Sequence, residues 1–356
     1  MGIRVAIAGV GNCASALIQG VEYYKNAKKG ENIPGVMHAY FGNYHISDVE
    51  FVAAFEVNKE KIGKDLSEAI WAPPNNCARF ADVPKTGVIV QAAPIMDGVA
   101  PHMYESFNAY KTLEPVDVVK VLRDTKADML VNYLPVGSAK ATEYYAQSCL
   151  DAGIAFLNCI PEFIASRPDW AKKFEEAGLP VAGDDIKSQV GATILHRVVS
   201  RLFYDRGVLL DSTYQLNIGG NTDFENMTVE NRLQTKRVSK TEAVQSLIPY
   251  KVPTRIGPSD YVPFLEDHKV CYIRINSHSF GNLPITFDAK LVVNDSPNSA
   301  GVVIDAIRAV KIALDRGISG PLLGISSYSF KHPPQQVPDD EAHRWVEDFI
   351  EGKRER

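Results

Sequence analysis

The first half of the chain alternates between short unbroken apolar runs and longer stretches whose apolar positions recur every three or four residues. Ile3–Ala8 contains no breaker, as expected of a strand buried on both faces. Leu17, Ile18 and Val21 then fall at helical spacing. Further strands are predicted at Phe51–Val57, Thr86–Gln91, Ala127–Tyr133, Ile154–Asn158 and Pro180–Ala182. Helices are predicted at Val116–Lys126, Ala139–Ala152 and Ala192–Leu202, and Lys25–Asp48 reads as an inserted loop. This alternation predicts an α/β fold, a Rossmann-like doubly wound parallel sheet.

From Val208 the pattern changes. Val208–Ile218 and Val270–Ser277 read as strands, and Ile285, Phe287, Ala289, Leu291 and Val293 alternate with other residues, the mark of a half-exposed antiparallel strand. A helix-like segment, Phe224–Leu247, lies between them. Asp295-Ser296-Pro297-Asn298 opens a long helix that runs to Arg316, with Gly317 as its stop. The expected division is a nucleotide-binding domain over 1–190, a second α+β domain over 191–294, and a segment over 295–356 that returns to the first domain.

The chain has 356 residues, with 38 Lys plus Arg against 43 Asp plus Glu, a net charge of −5. A mildly acidic chain has no broad field to attract nucleic acid or anionic lipid, so neither is expected as a partner. The 5 cysteines contain no C-x-x-C, which fits reduced thiols in a cytoplasm. No apolar run approaches the ~18 residues of a membrane span. Val5–Ile18 followed as a signal peptide is the weaker reading, since only Arg4 is positive and glycines interrupt the run. Met1-Gly2 does not make a myristoylation site, because Ala6 stands where Ser or Thr is needed.

Candidate chemistry begins at Gly9-Val10-Gly11-Asn12-Cys13-Ala14, a G-x-G-x-x-A pattern between strand and helix. Gly9 permits the tight turn, Gly11 lets backbone approach a pyrophosphate, and Ala14 allows close helix–strand packing. The acidic residue such a motif calls for about 20 residues on is absent at that distance. Glu56, ending the next strand, is the ribose candidate and favours NAD, while Asn58, Lys59 and Lys61 leave NADP open. Tyr133-Leu134-Pro135-Val136-Gly137-Ser138 follows a strand at the ligand-binding end of such a sheet. Gly183-Asp184-Asp185-Ile186-Lys187-Ser188 precedes a long helix that Ser188 could cap; the plain alternative is a capping turn with solvated charges. Lys236 and Lys240 share a helix face, and by spacing alone they, Lys269 and Lys331 read as solvated surface lysines.

These motifs, with Asn217-Ile218-Gly219-Gly220-Asn221, Lys236-Arg237-Val238-Ser239-Lys240 and Asp295-Ser296-Pro297-Asn298-Ser299-Ala300-Gly301, occur in one order along the chain. Taken together the sequence resembles the myo-inositol-1-phosphate synthase family in its shorter prokaryotic form, over essentially the whole length. Glu56 departs from the aspartate expected in that family. The resemblance implies a cytoplasmic, homotetrameric, NAD-dependent isomerase acting on D-glucose 6-phosphate, with the second domain supplying the substrate pocket and the tetramer sheet. It implies catalytic roles for Lys236, Lys240, Lys269, Lys331 and Asp295, with Ser188 and Asn221 beside the substrate. It places Gly9, Gly11, Asn12, Cys13, Ala14, Glu56, Tyr133, Pro135, Gly137, Ser138, Asp184, Asp185 and Lys187 around the cofactor. Lys236 and Lys331 are assigned proton transfer at C5, and Lys240 and Lys269 the phosphate and the aldehyde oxygen. A divalent cation or ammonium assists some members, and its ligands here are unknown. Met96–Ala109 and Met227–Lys240 are the loops expected to order over the substrate. The competing functions are an ordinary NAD(P) dehydrogenase, a cyclase acting on another sugar phosphate, and a non-catalytic NAD sensor.

Overall fold

A computed structural model describes residues 2–229, 232 and 234–356. Its elements begin with β1 Ile3–Ala8, α1 Asn12–Tyr23, the hairpin β2 Tyr40–Phe41 and β3 Tyr44–His45, β4 Val49–Glu56, α2 Leu66–Ala69 and β5 Gln91–Ala92. They continue with α3 Val118–Asp124, β6 Met129–Asn132, α4 Ala139–Ala152, β7 Ala155–Asn158, α5 Pro168–Glu176 and β8 Pro180–Ala182. Next come α6 Ala192–Asp205, β9 Leu209–Gly219, α7 Thr222–Asn226, α8 Gln234–Gln245, β10 Thr254–Tyr261, β11 His268–His278 and β12 Pro284–Asn294. The chain finishes with α9 Pro297–Asp315, β13 Gly320–Pro321, α10 Leu323–Ser329 and α11 Asp339–Ile350.

The larger sheet has seven strands in the order β13-β8-β7-β6-β1-β4-β5, all parallel. This is the doubly wound order, in which the chain reverses direction across the sheet between β1 and β6. Its central strands are apolar on both faces because each face is covered. One core joins α1 and α9 to the sheet through Leu17, Ile18, Val303, Ile307 and Val310. The other packs Leu122, Tyr145, Cys149 and Phe174 of α3, α4 and α5. The long helix begins and stops where the sequence indicates, and it packs against α1, β1, β7 and β8.

Two expectations for this first unit differ from the structure. The strand expected at Thr86–Gln91 shrinks to Gln91–Ala92, at the sheet edge. Its preceding residues bond instead to the loop after β4, through Leu66 N–H to Val88 O (2.8 Å) and Val90 N–H to Lys64 O (2.9 Å). Lys25–Asp48 contains the hairpin β2–β3, and the buried guanidinium of Arg308 clasps it by donating to Ala39 O (3.0 Å). Asp305, the ion-pair partner of Arg308, accepts the Met37 N–H (2.9 Å).

The second sheet has the order β10-β9-β11-β12, with β11 antiparallel to β9 and β12 and β10 parallel to β9. Strand β10 escapes sequence reading because Gly257, Pro258 and Asp260 interrupt it; an edge position tolerates them. Helices α6 and α8 cover one face of this sheet. The segment expected as one helix, Phe224–Leu247, is α7 and α8, and residues 230, 231 and 233 between them lie outside the described residues. No helix among the described residues is long and apolar enough to cross a membrane.

The clasp of the inserted segment onto α9 demands a bare backbone at Gly301, where a Cβ would stand 1.5 Å from the Gly35 carbonyl oxygen. Gly301→Ala is expected to destabilise the protein by about 1–3 kcal/mol, as overpacked interiors do. A urea unfolding midpoint equal to wild type would contradict that.

Candidate active site

The C-terminal ends of the parallel strands and the inner edge of the second sheet enclose one cavity. On the first side it is lined by Gly9, Gly11, Asn12, Cys13, Glu56, Tyr133 and Pro135. Gly9 has φ +90° and faces the Tyr133 carbonyl, which a Cβ would approach to 2.7 Å, so glycine is required there. At Gly11 a Cβ would meet no protein atom within 4 Å: the space is open. The first-turn amides of α1 have no partner within the helix and sit at its positive end, an arrangement suited to phosphate.

The Glu56 carboxylate accepts the N–H groups of Val10 (2.8 Å), Val57 (2.7 Å) and Asn58 (3.2 Å). A carboxylate has about four acceptor sites, so one remains for a ribose hydroxyl. Lys61, 1% exposed, donates to Val10 O (2.9 Å) and Asn75 Oδ1 (2.8 Å), which holds the glycine loop from below. Burial lowers its pKa, and Glu56, 3.8 Å away, opposes that shift. The buried hydroxyl of Tyr133 has no hydrogen-bond partner. Open glycine, free helix amides, a spare acceptor and an unpaired phenol together fit a dinucleotide. Ile95, Val99, Met103 and Phe107, from the expected loop Met96–Ala109 and its approach, form an apolar wall near Glu56.

On the other side the cavity gathers Asp185, Ser188, Asn221, Lys236, Lys240, Lys269, Asp295 and Lys331. Of the four lysines, read from spacing as solvated, Lys236 and Lys240 are buried and Lys269 and Lys331 are part-buried. On α8, Lys236, Ser239, Lys240, Ala243 and Val244 recur at helical spacing and form its buried stripe, so the two lysines point with the core face rather than away from it. Lys269 starts β11. Lys331 follows α10, where its N–H donates to Asp185 O (2.7 Å) and His332 and Asp184 exchange main-chain bonds at 3.0 Å. That pairing sets Asp185, at φ +63°, opposite Lys331.

Three carboxylates each meet one ammonium group. Asp223 accepts from Lys236 (2.6 Å), Asp185 from Lys331 (2.7 Å) and Asp295 from Lys269 (3.0 Å). Ser239 Oγ also donates to Asp185. The Lys240 side chain makes no ion pair or hydrogen bond with any described residue. Burial, then the charges of Lys236, Lys269 and Lys331, hold its pKa well below the ordinary value. Burial likewise lowers Lys331, with Asp185 opposing it. Burial works against the charge on Lys269 too, but Asp295 outweighs it and the pKa rises. For Asp185 and Asp295 burial favours the acid, and the adjacent lysines outweigh it, so both are lowered.

Five expected cofactor contacts do not reach the cavity. Asp184 is wholly buried, where it accepts from Asn158 Nδ2 (2.7 Å), from the amides of Ile164, Ala165 and Ser166, and from Ser166 Oγ (2.8 Å). It shapes the turn beneath Asp185. Lys187 donates to Ser327 O (2.8 Å) and Tyr328 O (3.1 Å) and meets Asp339 (3.4 Å), which ties the turn to α11. Gly137 N–H donates to Glu162 (2.8 Å) and Ser138 Oγ to Pro135 O (2.6 Å), so both build the loop rather than the cavity wall. Ala14 is core, in the close-packing role that its motif gives it. Nor does Ser188 cap α6: Gly191 is the capping residue, without a side-chain bond, and Ser188 lies three positions too early. The expected lid segment Met227–Lys240 includes residues outside the described set. Its Arg232 donates to Val136 O (3.0 Å) and Asp97 O (3.1 Å).

Sequence reasoning missed Asp223, Ser239 and Asp267, and it named Lys61 only for its charge near the ribose site. Ser239 could have been found, since it shares the helical stripe of Lys236 and Lys240. Asp223 and Asp267 have no spacing signal. No group of three or more His, Cys, Asp or Glu side chains suited to a metal occurs among the described residues.

The family model described as Myo-inositol-1-phosphate synthase matches residues 191–296, the span that carries Lys236, Lys240, Lys269 and Asp295. An inositol-3-phosphate synthase of Corynebacterium glutamicum is 57% identical over 356 residues, covering 98% of each chain. One of Mycolicibacterium smegmatis is 57% identical over 357 residues, again covering 98% of each. A solved structure, Ari2, is similar with a TM-score of 0.79 and 34% identity, covering 99% of this chain and 100% of its own.

Burial and three lysine neighbours make a proton on Lys240 costly in the folded protein, with Asp185 only partly opposing them. The unfolded lysine keeps its proton at neutral pH, whereas the folded one resists it, so the cost is present at neutrality and fades as the pH rises toward 10.5. Lys240→Met is therefore expected to gain about 1–3 kcal/mol of stability at pH 7.5 and to lose activity at least about 100-fold. A lower melting temperature with activity retained would contradict both expectations.

Proposed function

The chain belongs to the myo-inositol-1-phosphate synthase family, and we infer that it is an inositol-3-phosphate synthase. It isomerises D-glucose 6-phosphate to 1D-myo-inositol 3-phosphate. The sugar is oxidised at C5, loses a proton at C6, closes C6 onto C1 by aldol addition, and is reduced at C5 again, so there is no net redox change. The observation that carries this reading is the convergence of Lys236, Lys240, Lys269 and Lys331 on the cavity that the glycine loop also lines.

NAD is the proposed cofactor, and when bound it supplies the hydride acceptor and donor for C5. Gly11 and the α1 amides would hold its pyrophosphate and Glu56 its ribose; a 2′-phosphate would be repelled there. Lys61, 3.8 Å from Glu56, gives two of its three N–H donors to Val10 O and Asn75 Oδ1.

The lysines do the rest. Negative charge develops on the C5 oxygen, on the enolate and on the C1 oxygen, and fixed ammonium groups stabilise each without reorganising. Lys331, its pKa lowered and its Nζ oriented by Asp185, takes and returns the C5 hydroxyl proton. Lys236, fixed by Asp223, acts beside it. Lys269 stays cationic against Asp295 and holds an oxyanion. Lys240, without a protein partner among the described residues, is left free for the phosphate. Ser188 and Asn221 complete the substrate wall.

The remaining proposals concern assembly and place. Leu216, Tyr272 and Val292 lie exposed on the face of the second sheet turned away from α6 and α8. An apolar face of this kind supports a sheet-to-sheet contact in a homotetramer. The free cysteines suit a cytoplasmic enzyme. Residues 1–190 would bind the cofactor, 191–294 the sugar and the other subunits, and 295–356 would brace the first unit.

Incubation with D-glucose 6-phosphate and NAD should yield inositol phosphate by NMR with no build-up of the NADH absorbance band. Steady NADH accumulation would indicate a dehydrogenase, and no product at all a sensor. Lys236→Ala should lower turnover at least about 100-fold with NAD affinity little changed. Leu216→Glu combined with Tyr272→Glu is expected to reduce the mass seen by light scattering below four chains; an unchanged mass would place the contact elsewhere.

A further inference from the structure

Outside the lysine cluster, a heavily engaged carboxylate near the cavity belongs to Asp267, 2% exposed, just before β11. Its Oδ1 accepts from Asn12 Nδ2 (3.2 Å), Asn221 Nδ2 (3.0 Å) and Ser296 Oγ (2.8 Å), and its Oδ2 accepts the Ser296 N–H (3.2 Å). Four donors thus meet the roughly four acceptor sites of one carboxylate. The donors come from three helix starts that are far apart in sequence. Asn12 opens α1 beside the cofactor loop. Asn221 caps α7 and so fixes Asp223, the partner of Lys236. Ser296 precedes α9 and follows Asp295, the partner of Lys269, and Asp267 O accepts the Asp295 N–H (2.8 Å).

We propose that Asp267 is a positioning residue: its ionised carboxylate locks the cofactor loop in register with the two carboxylates that orient Lys236 and Lys269. Neither an amide nor a protonated acid can accept all four bonds, since each brings hydrogens where donors already point. The effect on turnover rests on the synthase reading; the joining of the three helix starts does not.

The titratable groups facing Asp267 are Asp295, Cys13 and Cys77, and no cation pairs with it among the described residues. Burial, then Asp295, raise its pKa to about 6. Below that pH it gains a proton and loses an acceptor site, so the lock loosens in acid. The same burial means that removing the charge relieves a cost to folding at neutral pH.

The test compares full-length Asp267→Asn with wild type. Hydrogen exchange should show protection lost together at the starts of α1, α7 and α9. Turnover should fall about 10–100-fold, with KM for glucose 6-phosphate within about threefold, the acid limb near pH 6 abolished, and the melting temperature not lowered. Turnover within twofold of wild type, or exchange changes confined to the residues next to 267, would overturn the proposal. Should the variant not fold, Ser296→Ala removes two-point anchoring while keeping the carboxylate. It should lower turnover and loosen α1 and α9 together; unchanged exchange at α1 would overturn the proposal. A wild type that makes no inositol phosphate would refute the synthase reading alone, and the exchange measurement would still decide the role of Asp267.

Discussion

Four lysine side chains drawn out of bulk water around one cavity are the constraint on which the rest of this structure depends. Taking a charge out of water costs several kcal/mol unless it is paired and hydrogen-bonded, and like charges side by side add to the cost. Asp223, Asp185 and Asp295 each offset one lysine, and Lys240 is left over. Lys240 therefore has no carboxylate of its own, and burial and its lysine neighbours disfavour its charge. On the proposed function, a dianionic sugar phosphate supplies the counter-charge that Lys240 lacks, and the lysines would stabilise the oxyanions that form during cyclisation. On that reading, the strain of the free site and its catalytic use have the same source.

The fold distributes that load. Lys236 and Lys240 come from α8, Lys269 from β11, and Lys331 from the turn after α10, so no single element has to gather like charges. The parallel sheet brings the glycine loop to the same opening, and α9 runs from the second sheet back across the first. Asp267 sits where these parts meet, and Lys61 braces the glycine loop from beneath. Asp184 and Lys187 serve the turn that presents Asp185 and Lys331, which is support rather than contact.

Much of the fold was legible in the sequence because apolar periodicity reports burial directly. The central strands and the long helix from Pro297 follow from it. Strand β10 did not, because Gly257 and Pro258 mask an edge strand, and Thr86–Gln91 reads as a longer strand than its edge position supports. The glycine loop was legible through its local turn chemistry. The lysines were not: spacing alone makes Lys236 and Lys240 a solvated pair, and only family resemblance drew them together with Lys269 and Lys331. Asp184 and Asp185 show the same limit. They are adjacent in sequence, yet one faces the core and the other the cavity, a division set by Asn158 and by Lys331 rather than by anything local. Contacts between residues such as Asn12 and Asp267 have no signature in a single chain.

The central claim is that one cavity holds coenzyme and sugar phosphate together beneath the four lysines. The most direct measurement is a crystal structure with NAD and glucitol 6-phosphate, an analogue that lacks the C1 aldehyde and cannot cyclise. The account predicts the phosphate and the C1 and C5 oxygens within hydrogen-bond reach of Lys236, Lys240, Lys269 and Lys331, with the nicotinamide facing C5. A sugar phosphate bound outside this cavity, or lysines that remain on their carboxylates without touching it, would contradict the account.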